Sequence, residues 1–241
     1  PIGALLGRVI SLLKKEGEFG VEEIISSVQS DDRTDDYTKA AAENLFTAAL
    51  GWGLFDKEGI SFSELVEPGQ ISVIDVSGYA SAVNRSSVRA LVIGLISKKL
   101  FSERMEVRKA EEYRDVKSFT SITPEDTDQK EMPLIWIMVD EAHEFLPKTG
   151  STPATDALQT LLREGRQPGI SLVLASQQPG QIHTDVMTQS DIVIAHHLTA
   201  KIDVDALGSL MQSYMREGLD KAIAGLPDAK GAAIVFDDTN E

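Results

Sequence analysis

The segment 134-LIWIMVDEAH-143 places six uninterrupted apolar residues between Pro133 and two adjacent carboxylates. An apolar run of this length predicts a strand that is buried on both faces of a parallel sheet. Asp140 and Glu141 follow the run directly and therefore lie at the carboxyl end of the strand. Because open α/β sheets bind ligands at that edge, the two acids are candidate site residues. The alternative is a strand that simply ends in solvated acids.

Adjacent acids after a buried strand form the Walker B pattern of nucleoside triphosphatases. In such sites the first acid holds Mg²⁺, usually through water, and the second polarises the water that attacks the γ-phosphate. The pattern therefore makes ATP and Mg²⁺ the expected cofactors.

Length and composition limit the possible folds and functions of the chain. With 241 residues, 42% of them hydrophobic, it can form one large α/β domain or a domain with a small module. Its apolar runs fall short of the roughly 20 residues that cross a bilayer, so we expect no membrane association. The absence of cysteine excludes disulfides and fits a cytoplasmic protein. A net charge of −15 argues against a broad nucleic-acid-binding surface but leaves room for a narrow basic channel.

Residues 1–60 differ in character from the rest. Apolar residues at helical spacing predict helices from Ile2 to Leu13, from Val21 to Val28 and from Tyr37 to Ala49, with glycines after the first and third. The acidic run 31–36 suits the positive end of the third helix, although it could also bind a partner. We therefore predict a helical-bundle module in residues 1–60 and a second domain in residues 61–241.

The second domain alternates strands with helices. Besides the strand before Asp140, the predicted strands are residues 71–78, 170–175, 191–195 and 231–236. A long helix is predicted from Asn84, an exposed loop in residues 117–130, and a shorter helix carrying Leu158 and Leu161. This order predicts the α/β class, with a mostly parallel sheet flanked by helices.

Four motifs in chain order resemble the HerA family, hexameric ATPases of the HerA–FtsK group that act as DNA translocases. They are Pro68-Gly69 leading into 74-IDVSG-78, then 139-VDEAH-143, 163-REGR-166 with Gly169, and 175-ASQQP-179. The resemblance implies a RecA-like ATPase core in residues 61–241 and a helical insertion in residues 1–60. His143 also suggests the DEAH helicases of superfamily two, but those carry Ser-Ala-Thr where this chain has Ala175-Ser176-Gln177.

The resemblance also implies roles for single residues. Asp140 would hold Mg²⁺ through water, Glu141 would be the catalytic base, and Gln177 would sense the γ-phosphate or the attacking water. Arg166, together with Arg163, would enter the neighbouring subunit's site as a trans-acting finger. The alternatives are that the arginines compensate a helix dipole and that Gln177 satisfies backbone groups at a strand end.

The family further implies a homo-hexamer that acts on double-stranded DNA with a NurA-type nuclease in end processing. One alternative is a motor of a secretion or conjugation system, and another is a non-catalytic subunit that lends Arg166 to a partner ATPase. Residues 104–117 and 148–152 are the candidate DNA contacts, because both carry positive charge.

One feature of the family is missing from the sequence. The chain contains no G-x-x-x-x-G-K-[ST] motif, the Walker A loop whose backbone amides and lysine hold the phosphates. In the family this loop precedes the helical insertion. We therefore expect the chain to be a carboxyl-terminal fragment that does not hydrolyse ATP alone.

Overall fold

The computed structural model describes residues 1–55, 59, 61–81, 85–120, 132–208, 222–223, 225–227 and 229–237. The helices are α1 (Ile2–Glu16), α2 (Val21–Gln29), α3 (Asp36–Leu50), α4 (Phe62–Leu65), α5 (Arg85–Thr120), α6 (Thr155–Glu164), α7 (Thr184–Thr188) and α8 (Lys201–Gly208). The strands are β1 (Ile135–Val139), β2 (Ile170–Leu174), β3 (Ile192–His196) and β4 (Ala233–Asp237). The predicted α/β class is confirmed.

The chain divides into two compact units, Pro1–Leu65 with Gly78–Val83 and Val66–Ser77 with Asn84–Glu241. The first contains a bundle of α1, α2 and α3, so the three predicted helices are confirmed. Asp35 caps α3, because its carboxylate accepts a hydrogen bond from the Thr38 backbone N–H at 2.9 Å. The buried core of the bundle consists of Leu5, Val9, Leu13, Ile24, Val28 and Ala42. The predicted boundary between residues 60 and 61 stays a prediction.

The second unit is organised around the parallel pair β1 and β2, which run in register from Ile135 opposite Ile170 to Val139 opposite Leu174. Their carboxyl ends therefore lie side by side. Helix α6 packs against β2 and against the long helix α5. At Gly94 of α5 an added Cβ would lie 2.5 Å from the Pro153 carbonyl oxygen, so only glycine permits this approach of α5 to the start of α6.

Strand β1 is buried on one face, not on both as the apolar run predicts. Ile135 and Val139 are buried, whereas Trp136 is 67% exposed and Met138 is 74% exposed. Val173 of β2 lies on the same exposed side. We call Trp136, Met138 and Val173 the outer face of the pair. Helix α6 packs against β2, and the exposure of Trp136 and Met138 shows that the outer face is largely open to solvent within the described residues.

Two further expectations about the sheet are wrong. Strands β3 and β4 do not join the parallel pair but form a separate antiparallel pair, with Ile192 opposite Asp237. Residues 71–76 are irregular, residues 71–75 are exposed, and a 3₁₀ helix, Ser77–Ser81, follows them. The Ser77 backbone N–H donates to the Asp75 carboxylate at 2.8 Å, a local turn that competes with strand pairing.

The loop predicted over residues 117–130 lies partly in a helix. Helix α5 continues to Thr120, and residues 121–130 lie outside the described part of the chain. Among the described residues, no helix combines the length and apolar character that crossing a membrane requires.

Candidate functional site

Glu141 has an unusual backbone directly after β1. Its φ of 48° and ψ of 45° make it the one residue other than glycine with positive φ in the described part of the chain. The backbone around it is fixed from two sides. Its N–H donates to the Asp140 carboxylate at 2.9 Å, and the Ala142 N–H donates to the Ala175 carbonyl beyond β2 at 2.9 Å. Such strain persists only where its surroundings impose it, and it is common at functional sites.

The Glu141 side chain faces the end of the neighbouring strand. Gln177, which follows β2, donates a hydrogen bond from Nε2 to Glu141 Oε1 at 2.5 Å. The other oxygen, Oε2, is buried and accepts no hydrogen bond from the described residues. A buried carboxylate oxygen without a donor is costly, so this atom marks a place where the site needs a further polar group.

His143 and Ser176 complete the cluster. His143 Nδ1 lies 3.0 Å from Ser176 Oγ and 3.4 Å from Glu141 Oε2. Ser176 Oγ also accepts a hydrogen bond from the Gln178 backbone N–H at 3.1 Å. Neither side chain has a role that the sequence patterns predict. No sequence signal brings them together, because their contact depends on the pairing of Val139 with Leu174, which places the residues after both strands side by side.

Asp140 suits a magnesium ion held mainly by other oxygens. Its side chain is exposed at the strand end, and one carboxylate oxygen already accepts from the Glu141 N–H. The described residues contain no group of three or more His, Cys, Asp or Glu that could enclose a metal. Mg²⁺ usually keeps several waters and uses one or two carboxylates together with phosphate oxygens. A single exposed carboxylate therefore fits Mg²⁺ bound with a nucleotide and not a cage of protein ligands.

The two arginines of the predicted finger have different surroundings. Arg163, in the last turn of α6, forms an ion pair with Asp185 of α7 although its own side chain is 57% exposed. Arg166 lies in the turn after α6 and is exposed, and no ion pair among the described residues involves it. Neither arginine contacts the cluster around Glu141 within the described chain. Of the two, Arg166 is therefore the one left available to another molecule.

Arg104, in the first candidate DNA-binding segment, is buried in an ion pair within the chain. The Arg104 side chain is only 4% exposed and forms an ion pair with Glu111 at 2.9 Å. The hydrogen bond from Arg104 holds the pKa of the Glu111 carboxyl below its usual range. This arginine is therefore part of the folded core and not of a nucleic-acid surface. Lys148, in the second candidate segment, is exposed.

The chain is similar in sequence to two curated proteins. It is 25% identical to the DNA double-strand break repair helicase HerA of Pyrococcus furiosus, over 70% of this chain and 31% of the helicase. It is 30% identical to the probable DNA double-strand break repair helicase HerA of Methanocaldococcus jannaschii, over 54% of this chain and 27% of that protein. The matches thus span less than a third of the length of these relatives.

Two solved structures of the genome packaging NTPase B204 from Sulfolobus turreted icosahedral virus 2 are partly similar. The complex with ATP-γ-S gives a TM-score of 0.35 at 20% identity, over 45% of this chain and 49% of that chain. The complex with AMP gives 0.36 at 19% identity, over 45% and 50%. No protein-family model matches the chain. The two sequence matches confirm the resemblance that the four motifs carry, and the chain is similar to part of the HerA helicases.

Proposed function

We propose that the chain carries the Walker B part of an ATP-driven motor of the HerA type, which acts on double-stranded DNA in end processing. The observation that supports this most directly is the placement of Glu141. Its carboxylate lies at the carboxyl edge of a parallel strand pair and is held by Gln177 from the neighbouring strand. The names of the two relatives, both DNA double-strand break repair helicases, point to the same kind of substrate.

Asp140, Glu141, Gln177 and Arg166 would each have a separate role in ATP hydrolysis. Asp140 would hold Mg²⁺, which when bound neutralises charge on the triphosphate. Glu141 would accept the proton of the attacking water. Gln177 would orient the Glu141 carboxylate and leave it when a nucleotide offers a stronger partner. Arg166 would act on a neighbouring subunit, as the family's homo-hexamer requires.

Replacing the proposed base tests this function. In a polypeptide that joins the chain to its Walker A loop, we expect Glu141→Gln to lower DNA-stimulated ATP hydrolysis on the order of 10²- to 10⁴-fold, because the amide cannot accept the proton. Nucleotide binding should survive the change. Glu164→Gln, at an exposed glutamate that ends α6, is the matched control. Hydrolysis that persists in Glu141→Gln would refute the assignment.

The chain by itself should not hydrolyse ATP, because it contains no Walker A loop. Turnover by the isolated chain that disappears in Glu141→Gln would contradict this expectation. The coding DNA upstream of Pro1 shows which assay applies. A Walker A loop in frame there would supply the natural polypeptide for the hydrolysis experiment.

A second candidate function rests on the free arginine. A chain that lacks the Walker A loop but exposes Arg166 could complete the active site of a partner ATPase. Mixing the chain with a P-loop partner should then stimulate the partner's hydrolysis, and Arg166→Ala should not. Equal rates with the two forms would exclude this role.

A further inference from the structure

We propose that His143 is a positioning residue, which orients the Glu141 carboxylate for catalysis by placing the N–H of Nδ1 beside it. The proposal rests on the function proposed above and extends it to a residue for which the sequence patterns gave no role. It is carried by the two contacts of a single atom. His143 Nδ1 lies 3.0 Å from Ser176 Oγ and 3.4 Å from Glu141 Oε2.

The surroundings of the ring decide where its proton lies. If Nε2 carried the proton, Nδ1 would accept from the Ser176 hydroxyl, and its negative charge density would lie 3.4 Å from the buried Glu141 Oε2, which is electrostatically unfavourable. If Nδ1 carries it, the N–H donates to Ser176 Oγ at 3.0 Å, and its positive end favours the carboxylate oxygen 3.4 Å from the nitrogen. The second tautomer thus places a polarised N–H beside Glu141 Oε2, which accepts no hydrogen bond from the described residues.

A hydrogen bond with Ser176 holds the His143 ring in this position. Ser176 Oγ already accepts from the Gln178 backbone N–H, and a hydroxyl oxygen can accept a second hydrogen bond from His143. The imidazole is thereby anchored to the segment after β2, which also carries Gln177. It is also largely shielded from water, since only 16% of the side chain is exposed.

Gln177 and His143 each place a nitrogen beside a different oxygen of the Glu141 carboxylate. Gln177 Nε2 binds Oε1 and His143 Nδ1 faces Oε2, so the direction in which Glu141 meets a water molecule depends on both. Efficient proton transfer requires the base to lie within hydrogen-bond reach of the water at the correct angle. Losing one donor should therefore lower the rate of the chemical step more than the binding of ATP.

The position of the nitrogen allows a sharp test by three substitutions. The side-chain amide of asparagine can place an N–H close to the position of Nδ1, whereas that of glutamine extends towards the position of Nε2. In a polypeptide with Glu141-dependent hydrolysis, we expect His143→Ala and His143→Gln to lower kcat on the order of 10- to 100-fold, with KM for ATP nearly unchanged. His143→Asn should retain most of the parental kcat.

A merely structural role would give a different result. It would lower the thermal stability of the variants in step with their activity, and asparagine would not rescue better than glutamine. Parental kcat in His143→Ala, or equal kcat in the asparagine and glutamine variants, would overturn the proposal. Loss of kcat in the alanine and glutamine variants with rescue by asparagine supports it.

The ring itself can be examined in the isolated chain. Heteronuclear NMR of the imidazole nitrogens should show His143 protonated on Nδ1, and Ser176→Ala and Glu141→Gln should each shift the Nδ1 resonance. A neutral ring protonated on Nε2 would overturn the proposal without any assay of activity. If the parental polypeptide shows no Glu141-dependent hydrolysis, the proposed function fails. The nitrogen resonances still show whether His143 Nδ1 carries the proton.

Discussion

Glu141 combines a strained backbone with a side chain that its neighbours hold, and each property has its own cost. A left-handed conformation in a residue other than glycine costs roughly 1–2 kcal/mol. The carboxylate adds a buried oxygen without a donor among the described residues. Natural proteins tolerate such costs where activity requires them, so stability and catalysis should conflict at this position.

Substituting Glu141 should separate the two costs. Glu141→Gly relieves the backbone strain and removes the carboxylate, whereas Glu141→Ala removes the carboxylate and keeps the strain. We therefore expect the glycine variant to have a free energy of unfolding higher than that of the alanine variant by about 1 kcal/mol. Denaturant unfolding of both variants measures the difference. A glycine variant no more stable than the alanine variant would show that the φ of 48° imposes no strain.

Secondary structure shows what local patterns can and cannot determine. The helices α1, α2, α3 and α6 and the strands β1 and β2 were predicted because periodicity and terminating glycines are local properties. The pairing of β3 with β4 was not, since an apolar run does not specify its partner strand or the direction of pairing. The run in β1 likewise does not show which face another element covers.

In the candidate site, too, some features follow from local sequence patterns and others depend on the fold. Asp140 and Glu141 were predicted because they directly follow an apolar strand, and Gln177 because of the family resemblance. The structure brings Glu141 and Gln177 into contact. The ion pair of Arg163 with Asp185 joins α6 to α7 and depends on the fold, so no spacing in the sequence indicates it. The contact of His143 with Ser176 depends in the same way on strand register.

The bundle of α1 to α3 contains an ion pair that should make it sensitive to acid. Arg8 of α1 bonds Asp31, in the α2–α3 connection, at 2.7 Å. The hydrogen bonds from Arg8 and then from Thr34 lower the pKa of Asp31 to about 2. A lowered pKa in the folded state stabilises the protein above the unfolded value of about 4, and this contribution is lost as the pH falls towards 2.

Removing the Asp31 carboxylate should therefore reduce the loss of folding stability at acidic pH. We expect Asp31→Asn to be less stable than the parent at neutral pH and to lose less of its stability between about pH 4 and pH 2. Asp35, whose pKa is lowered chiefly by the Thr38 backbone N–H, titrates in the same direction and leaves part of the response in place. Thermal unfolding followed by the helical circular dichroism measures this, with the exposed Asp32→Asn as control. Parallel pH curves for Asp31→Asn and parent would contradict the prediction.

At the scale of the whole molecule, the two arginines should act in different places. In an assembly that shows Glu141-dependent hydrolysis, we expect Arg166→Ala to lower kcat on the order of 10³-fold without changing stability. Arg163→Ala should cost at most about 1 kcal/mol of stability, because its ion pair with Asp185 is largely exposed, and should affect kcat less.

Mixing variants shows whether Arg166 acts in trans. Assemblies made from Glu141→Gln and Arg166→Ala subunits contain interfaces in which an intact Glu141 meets an intact Arg166 of the neighbour. Hydrolysis should therefore return in the mixture although each variant alone is inactive. A mixture as inactive as its components would place Arg166 in the active site of its own subunit.

The outer face of β1 and β2 also gives the chain an optical property. Only two tryptophans are present, Trp52 and Trp136, and Trp136 is 67% exposed whereas Trp52 is half-buried. Water relaxes around an excited indole and lengthens the wavelength at which it emits, so Trp136 should dominate the red edge of the fluorescence. Trp136→Phe should remove that component. Any molecule that covers the outer face should shift the emission to shorter wavelength, which makes the spectrum a direct assay for ligands of this surface.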